Sequence, residues 1–320
     1  MSVALIFGPN APFIDFDGTI HFYEGSAAMR RSIDLAAQCT GVSADVLLRK
    51  RDIGEGESTM RINSVALAAA SLGIQDALAE IGVVPVTVGG LSLGDVVSPA
   101  AASAVTRSGV IDMLFTSKHE PASSEPGQEE ATAFAYVPEG EDPSPYYEPQ
   151  IEGVYFGASL GKVRWGNGEA IMLSGYRSAL EEFAAQHPNG NVKVRDQRMC
   201  AAAYHSPLRM KARAQLEQLL DDMHIEDPAF PISSSILDRP VTTAADVREL
   251  LLLGCVGPAY VHKMIAQVMS YEPEFVVTIG PAMAKGMFVF PVPVINVNSL
   301  ETLADAADVI AGADTARLSA

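Results

Sequence analysis

Val83-Val84-Pro85-Val86-Thr87-Val88 runs directly into Gly89-Gly90-Leu91-Ser92-Leu93-Gly94-Asp95, and the reading of this stretch decides the fold. A β-branched run of this length suits a strand buried on both faces, as in a parallel sheet. The glycines after it predict a sharp turn. Gly90-Leu91-Ser92-Leu93-Gly94 matches G-x-S-x-G, in which a serine sits on a strained strand-to-helix turn that neighbouring side chains would block. Such a turn exposes the hydroxyl and points the Leu93 N–H at a developing oxyanion. The competing reading is a glycine-rich βα turn without chemistry.

Outward from this stretch the pattern repeats. Val3–Phe7 is a short apolar run closed by Gly8-Pro9, and Phe275–Ile279 is another, stopped by Gly280-Pro281. Both read as buried strands. Residues 26–38, 44–50, 60–81, 207–223, 244–253, 259–270 and 300–311 have helical spacing. Strands alternating with long helices predict an α/β fold with a mainly parallel sheet. Residues 121–130 and 138–149 are small, polar, acidic or proline-rich, which is linker chemistry. The strand-like pieces 132–137 and 170–174 and a helix at 177–187 lie between and after them. Residues 127–197 therefore read as a small β/α insertion in a core built from 1–126 and 198–320. At 320 residues the chain has room for both.

Composition narrows the function. Hydrophobic residues make up 48% and charged residues 19%, enough apolar material for a sizeable core. Lys+Arg is 22 against Asp+Glu 39, a net charge of −17, which argues against nucleic-acid and anionic-membrane partners. The three cysteines, Cys39, Cys200 and Cys255, are odd in number and widely spaced, so free thiols in a reducing cytosol fit better than a disulfide framework or zinc site. The N-terminal MSVALIF has no basic region and meets Gly8-Pro9 at once, unlike a signal peptide. The apolar run near residues 250–260 is too interrupted to span a membrane. The expectation is a cytoplasmic protein.

A serine nucleophile needs a base, and the chain has six histidines. His205 stands out in Tyr204-His205-Ser206-Pro207-Leu208, where Ser-Pro opens a helix and leaves the histidine on the loop before it. The alternative is a structural histidine. A second G-x-S-x-G match, Gly157-Ala158-Ser159-Leu160-Gly161, has a strand-like segment after it rather than a helix and reads as a decoy.

Together these pieces resemble the acyltransferases that load acyl carrier proteins, typified by malonyl-CoA:ACP transacylase. That family carries a G-H-S-L-G-E elbow and, beyond an inserted subdomain, a histidine in an H-S-P-like context. The counterparts are Gly90–Asp95 and His205–Leu208, in the order the family has them. Val3–Phe7 with Gly8-Pro9-Asn10, the run from Asn167 to Gly175, and Ile279-Gly280-Pro281 resemble three further family segments. The resemblance implies an α/β-hydrolase-like core, 1–126 and 198–320, with a ferredoxin-like subdomain inserted at 127–197. It implies a Ser92–His205 dyad, an oxyanion hole from Leu93 and Asn10, and CoA or phosphopantetheine thioesters as substrates with no cofactor. Acyl carrier protein would be the partner, and an acyl-CoA or acyl carrier protein the donor, in fatty-acid or polyketide biosynthesis.

The departures from the family pattern bear on the substrate. Asn10 stands where the family has glutamine, and Leu91, beside the nucleophile, where it has histidine. About six extra residues, including Pro99, follow the elbow. The family arginine that grips the malonyl carboxylate has no counterpart, since no arginine occurs between Arg107 and Arg164. Lys118, 26 residues after the serine, is a point charge without the guanidinium fork. Leu91 and Lys118 are the pocket candidates, and the acyl group is expected not to be malonyl. Lys193, Arg195, Arg198, Arg209, Lys211 and Arg213 crowd into 21 residues with one acid, Asp196, and flank His205. They form a candidate docking face for an acidic carrier, or else an ordinary solvated helix face.

The same dyad could hydrolyse acyl groups from carriers, or the chain could be a non-catalytic carrier-binding relative. Asp15-Phe16-Asp17-Gly18-Thr19 also matches the D-x-D-G-T motif of haloacid-dehalogenase-type phosphatases, although Pro12 interrupts the strand that motif requires.

Overall fold

The computed structural model describes residues 2–10, 16–49, 57–117, 121–122, 127–162, 168–196, 202–283 and 288–318. Its strands are β1 (Val3–Phe7), β2 (Pro85–Gly90), β3 (Glu130–Pro138), β4 (Val154–Lys162), β5 (Gly168–Tyr176), β6 (Lys193–Val194), β7 (Ile232–Ser234), β8 (Ala259–Tyr260), β9 (Phe275–Ile279) and β10 (Val294–Val297). They form two five-stranded sheets.

The first sheet has the order β10-β9-β1-β2-β7 and is parallel throughout. Its central strand β1 is buried throughout, with β9 beside it nearly so, which is why these two are apolar runs rather than alternating ones. In β1, Val3, Leu5 and Phe7 enter one apolar cluster with the helices Ala27–Thr40, Glu57–Glu80 and Leu93–Ala101. Ala4 and Ile6 enter another with the helix Val261–Met269. Residues Ser58–Glu80 are long and apolar enough to cross a membrane, but 83% of that window is buried inside the fold. Ser32 Oγ, on the neighbouring helix, donates to Ala69 O within it at 2.6 Å, so this is a core helix.

The second sheet has the order β6-β3-β5-β4-β8. β3 through β6 come from the inserted stretch in a βαββαβ succession, with Ser144–Tyr147 and Arg177–Gln186 as its helices. All pairs among these four are antiparallel. One face of the sheet buries Ala131, Ala133, Leu173 and Phe183 in a third cluster. The fifth strand, β8, comes from beyond the insertion and pairs with β4 in parallel. That pairing ties residues 259–260, beyond the insertion, to the second sheet.

Several elements differ from the sequence expectation. The helix expected at 259–270 begins only at Val261, because Ala259–Tyr260 is drawn into the second sheet. The helix expected from 207 opens as a 3-10 turn, Pro207–Arg209, and becomes α-helical at Met210–Asp221. The last helix runs on to Leu318. β7 is three residues long with one apolar side chain, too short to leave a periodic signal.

Candidate active site

Ser92 lies between the end of β2 and the helix Leu93–Ala101, with φ 58° and ψ −106°. That is the left-handed region, which costs a non-glycine residue about 1–3 kcal/mol and persists only where the surroundings impose it. The surroundings here are two glycines. A Cβ on Gly90 would collide with the backbone of Gly94, and a Cβ on Gly94 with the carbonyl of Phe7, both well inside 3.0 Å. The turn therefore packs backbone against backbone. Leu93 is the first residue of its helix, and the N–H groups of a first turn have no intrahelical acceptor.

His205 is brought to the serine from 113 residues further along the chain, with Nε2 2.9 Å from Ser92 Oγ. Its Nδ1 lies 3.2 Å from the carbonyl oxygen of Gly257. A carbonyl can only accept, so Nδ1 carries the proton and Nε2 is left to accept from the serine hydroxyl. The imidazole is 6% exposed. Burial pushes its pKa down to about 4, the Gly257 carbonyl partly opposes this, and the Arg209 guanidinium adds to the depression. At neutral pH the histidine is uncharged and ready to take a proton. A backbone carbonyl occupies the orienting place that a carboxylate holds in a triad.

A carboxylate does stand behind the elbow, and the sequence reading did not assign it a role. Asp95 is 3% exposed. It accepts from the Ser92 backbone N–H, from Ser235 N at 3.2 Å and from the Ser235 hydroxyl. Burial is the largest influence and raises its pKa to about 7, against the lowering effect of those hydrogen bonds. Because the folded value lies above the unfolded 3.8, the folded state holds the extra proton between these limits. Asp95 thus contributes most to stability below pH 3.8, and that contribution is lost as pH rises through 7. The gap corresponds to about 4 kcal/mol. Thermal melts of wild type and Asp95→Asn from pH 4.5 to 8.5 should diverge in slope, with wild type losing ground to the variant as pH rises. Parallel melting curves would contradict the assignment.

The other expected site residues fall in different places. The Asn10 side chain is engaged with Ser64 and Asn63 and with Met60 O, so any oxyanion donor there is the backbone N–H and not the amide. Leu91, expected in the substrate pocket, is 2% exposed and packs in the apolar cluster with Ile6, Met264 and Phe290. Its side chain is thus packed among apolar neighbours rather than open to solvent. Lys118 and Arg198 lie outside the described residues, as do Asp15 and Cys200. Arg195 and Arg209 flank the loop that carries His205. Arg195 N donates to Thr132 O at 2.9 Å and its guanidinium lies 4.8 Å from the Phe134 ring, while Arg209 lies 5.5 Å from the Tyr204 ring. Lys211 Nζ donates to Pro121 O at 3.0 Å, and Arg213 pairs with Glu217 at 3.7 Å.

The decoy serine, Ser159, is inside β4, 1% exposed, and bonded to Glu169 and Tyr147. Asp17, from the phosphatase-like motif, opens the helix Asp17–Gly25 and does not end a strand of the parallel sheet. Cys39 and Cys255 are free thiols.

The chain has the fold of the malonyl-CoA:acyl carrier protein transacylases. Solved structures similar to it include malonyl-CoA:acyl carrier protein transacylase from Helicobacter pylori, with TM-score 0.80 and 17% identity over 97% of this chain and 98% of that one. FabD from Acinetobacter baumannii superposes with TM-score 0.81 at 15% identity, covering 98% and 99%. A third similar structure, PlMCAT:AntF, is of a type II polyketide acyl-carrier protein in complex with its malonyl-transacylase, with TM-score 0.80, 16% identity and coverage of 96% and 99%. Among curated proteins, the highly reducing polyketide synthase frbB of Dothideomycetidae sp. (strain 11243) is 24% identical over 204 residues, 63% of this chain. The match spans 8% of that protein's length. No family model matches the chain.

Proposed function

We propose that the chain is an acyltransferase that moves an acyl group from a CoA or carrier-protein thioester to an acyl carrier protein through an ester on Ser92. The observation that carries this reading is the 2.9 Å contact between Ser92 Oγ and His205 Nε2 on a strained elbow, with the base oriented by Gly257 O. In the first half-reaction Ser92 Oγ attacks the thioester carbonyl and its proton passes to His205 Nε2. The tetrahedral oxyanion is held by the Leu93 N–H and a backbone donor near Asn10. The C–S bond then breaks and the departing sulfur takes the proton from His205. In the second half the carrier thiol gives its proton to His205 and attacks the acyl ester, and the proton returns to Ser92 Oγ as the C–O bond breaks.

The division into a core of 1–126 and 198–320 and an insertion at 127–197 belongs to the same reading. So does an acyl group other than malonyl, supported by the lack of any arginine between Arg107 and Arg164. Intact-protein mass after mixing with a panel of acyl-CoAs and acyl carrier proteins tests both. A stable acyl adduct from a non-malonyl donor is the expected result. Strong loading by malonyl-CoA would overturn the acyl-group assignment, and no adduct from any donor would overturn the acyl-serine mechanism.

The carrier would dock against the cations flanking the base loop, since carriers are acidic and the rest of this chain is too. Charge reversal at Arg195 and Arg213 should raise KM for the carrier about 5-fold each while leaving kcat within a factor of about 2, the signature of a rim charge. An unchanged KM in both variants would remove this face from consideration.

A further inference from the structure

The nucleophile and the base are supplied by different sheets. Ser92 is fixed by β2 of the parallel sheet. The loop 202–206 that carries His205 is instead fastened to the antiparallel sheet of the insertion. Thr132 Oγ1 donates to Ala202 O at 2.9 Å. Ala203 N donates to Glu130 Oε2 at 3.1 Å. Ser174 Oγ donates to Tyr204 O. Three consecutive loop residues before the histidine are thus each bonded to a side chain of the inserted sheet.

This arrangement follows from strand geometry. Side chains two apart on a strand share a face, so Glu130 and Thr132 lie together on β3. Ser174 is the register partner of Thr132 on β5, which places it on the same face. All three are buried: Glu130 is 3%, Thr132 2% and Ser174 0% exposed. The opposite face carries Ala131, Ala133 and Leu173 into the apolar cluster of the insertion. A row of buried polar groups on an otherwise apolar sheet is costly unless each has a partner, and the base loop is the partner. His205 itself has φ 55°, a conformation that a non-glycine residue keeps only when its neighbours determine it.

We propose that Glu130, Thr132 and Ser174 are positioning residues for the catalytic base: the face they share on the inserted sheet sets where the His205 imidazole stands relative to Ser92. The proposal rests on the reading of Ser92 and His205 as the reacting pair. It gives the insertion a role in the chemistry besides covering the site. It also joins the base to the docking face, because Glu130 Oε1 accepts from Ala122 N at 2.6 Å and Lys211 Nζ holds the adjoining Pro121 O.

The test is the rate of covalent labelling of Ser92 by a fluorophosphonate, which needs the base but no carrier. It is measured against pH in wild type, Thr132→Val, Thr132→Ser, Ser174→Ala and Glu130→Gln, with Ser92→Ala as the blank. Thr132→Val keeps the shape and removes the hydroxyl, and it should slow labelling about 10- to 100-fold, the scale of a displacement of roughly an ångström. Thr132→Ser, which keeps the hydroxyl, should restore most of the rate. The pH profile adds a readout that a loss of folding would not move. Arg209 is the charged group bearing on His205; the helix Ala244–Val256 before Gly257 carries Asp246, Arg248, Glu249 and the half-buried Cys255, and the buried Asp95 accepts from the Ser92 N–H. Releasing the imidazole from its buried position should move the acid limb up from about 4 toward the ordinary 6.5. Normal rates and an unmoved acid limb in Thr132→Val, Ser174→Ala and Glu130→Gln would overturn the proposal while leaving the dyad intact. Failure of wild type to label at Ser92 would instead overturn the dyad on which it rests.

Discussion

Ser92→Ala is expected to abolish the acyl adduct and to lower transfer on the order of 10⁴-fold or more, because removing a nucleophile that acts as a unit with its base removes nearly all the work of the pair. His205→Ala should be milder, roughly 10²- to 10⁴-fold, since the hydroxyl stays in place and only assisted proton removal is lost. The two losses should not add: the double variant should match Ser92→Ala alone. The pH dependence of wild-type acylation carries a second mark of this site. Burial holds His205 near 4, so the base is unprotonated from pH 5 to 8 and its own titration should lower the rate only as pH drops through about 4, while a step near 7 would report Asp95 behind the elbow. A base at the ordinary imidazole value would give a fall near 6.5 instead. Single-turnover acylation of each variant, followed by intact mass, separates these outcomes. Persistent acylation of Ser92→Ala at another residue would show that the elbow is not the reacting centre.

What could be read in the sequence, and what could not, follows from the range of the interactions. The elbow was legible because its demands are local: a buried strand, two glycines whose side chains would hit backbone, and a serine between them. β1 and β9 were legible because strands buried on both faces must be apolar throughout. Of the second sheet, only β3 and β5 were legible as strands; β4 and β6 were not, nor was the pairing with β8, which joins Ser159 to Tyr260 across 101 residues and leaves no periodic trace. His205 could be proposed from Ser206-Pro207, while the group orienting it could not, because Gly257 acts through a carbonyl that every residue possesses. Asp95 was visible only as the last letter of the elbow motif. Its partner Ser235 lies 140 residues away, and nothing in either local sequence announces the bond. Leu91 was visible as the neighbour of the serine, but its packing with Ile6, Met264 and Phe290 depends on residues far away in the chain.

Gly94→Ala is expected to be strongly destabilising and to disable the elbow. Its Cβ would enter the carbonyl of Phe7, the last residue of β1, and neither partner has a flexible end to yield. β1 lies between β2 and β9, so its retreat would disturb both pairings. The cost of forcing such a contact is about 3 kcal/mol or more, at the top of the range for overpacking, because backbone rather than a side chain must move. The serine would move with it, and a shift of roughly an ångström between Ser92 and His205 costs about 10²-fold in rate. Gly254→Ala supplies the control. It lies in the helix Ala244–Val256 with nothing within 4 Å of its added Cβ, so the substitution should stabilise by about 0.5–1 kcal/mol through helix propensity alone. Chemical denaturation and serine labelling of the two variants should therefore move in opposite directions in stability, with labelling lost only in Gly94→Ala. Equal stabilities would mean that the elbow can open, and the strained φ at Ser92 would then not be imposed by its glycines.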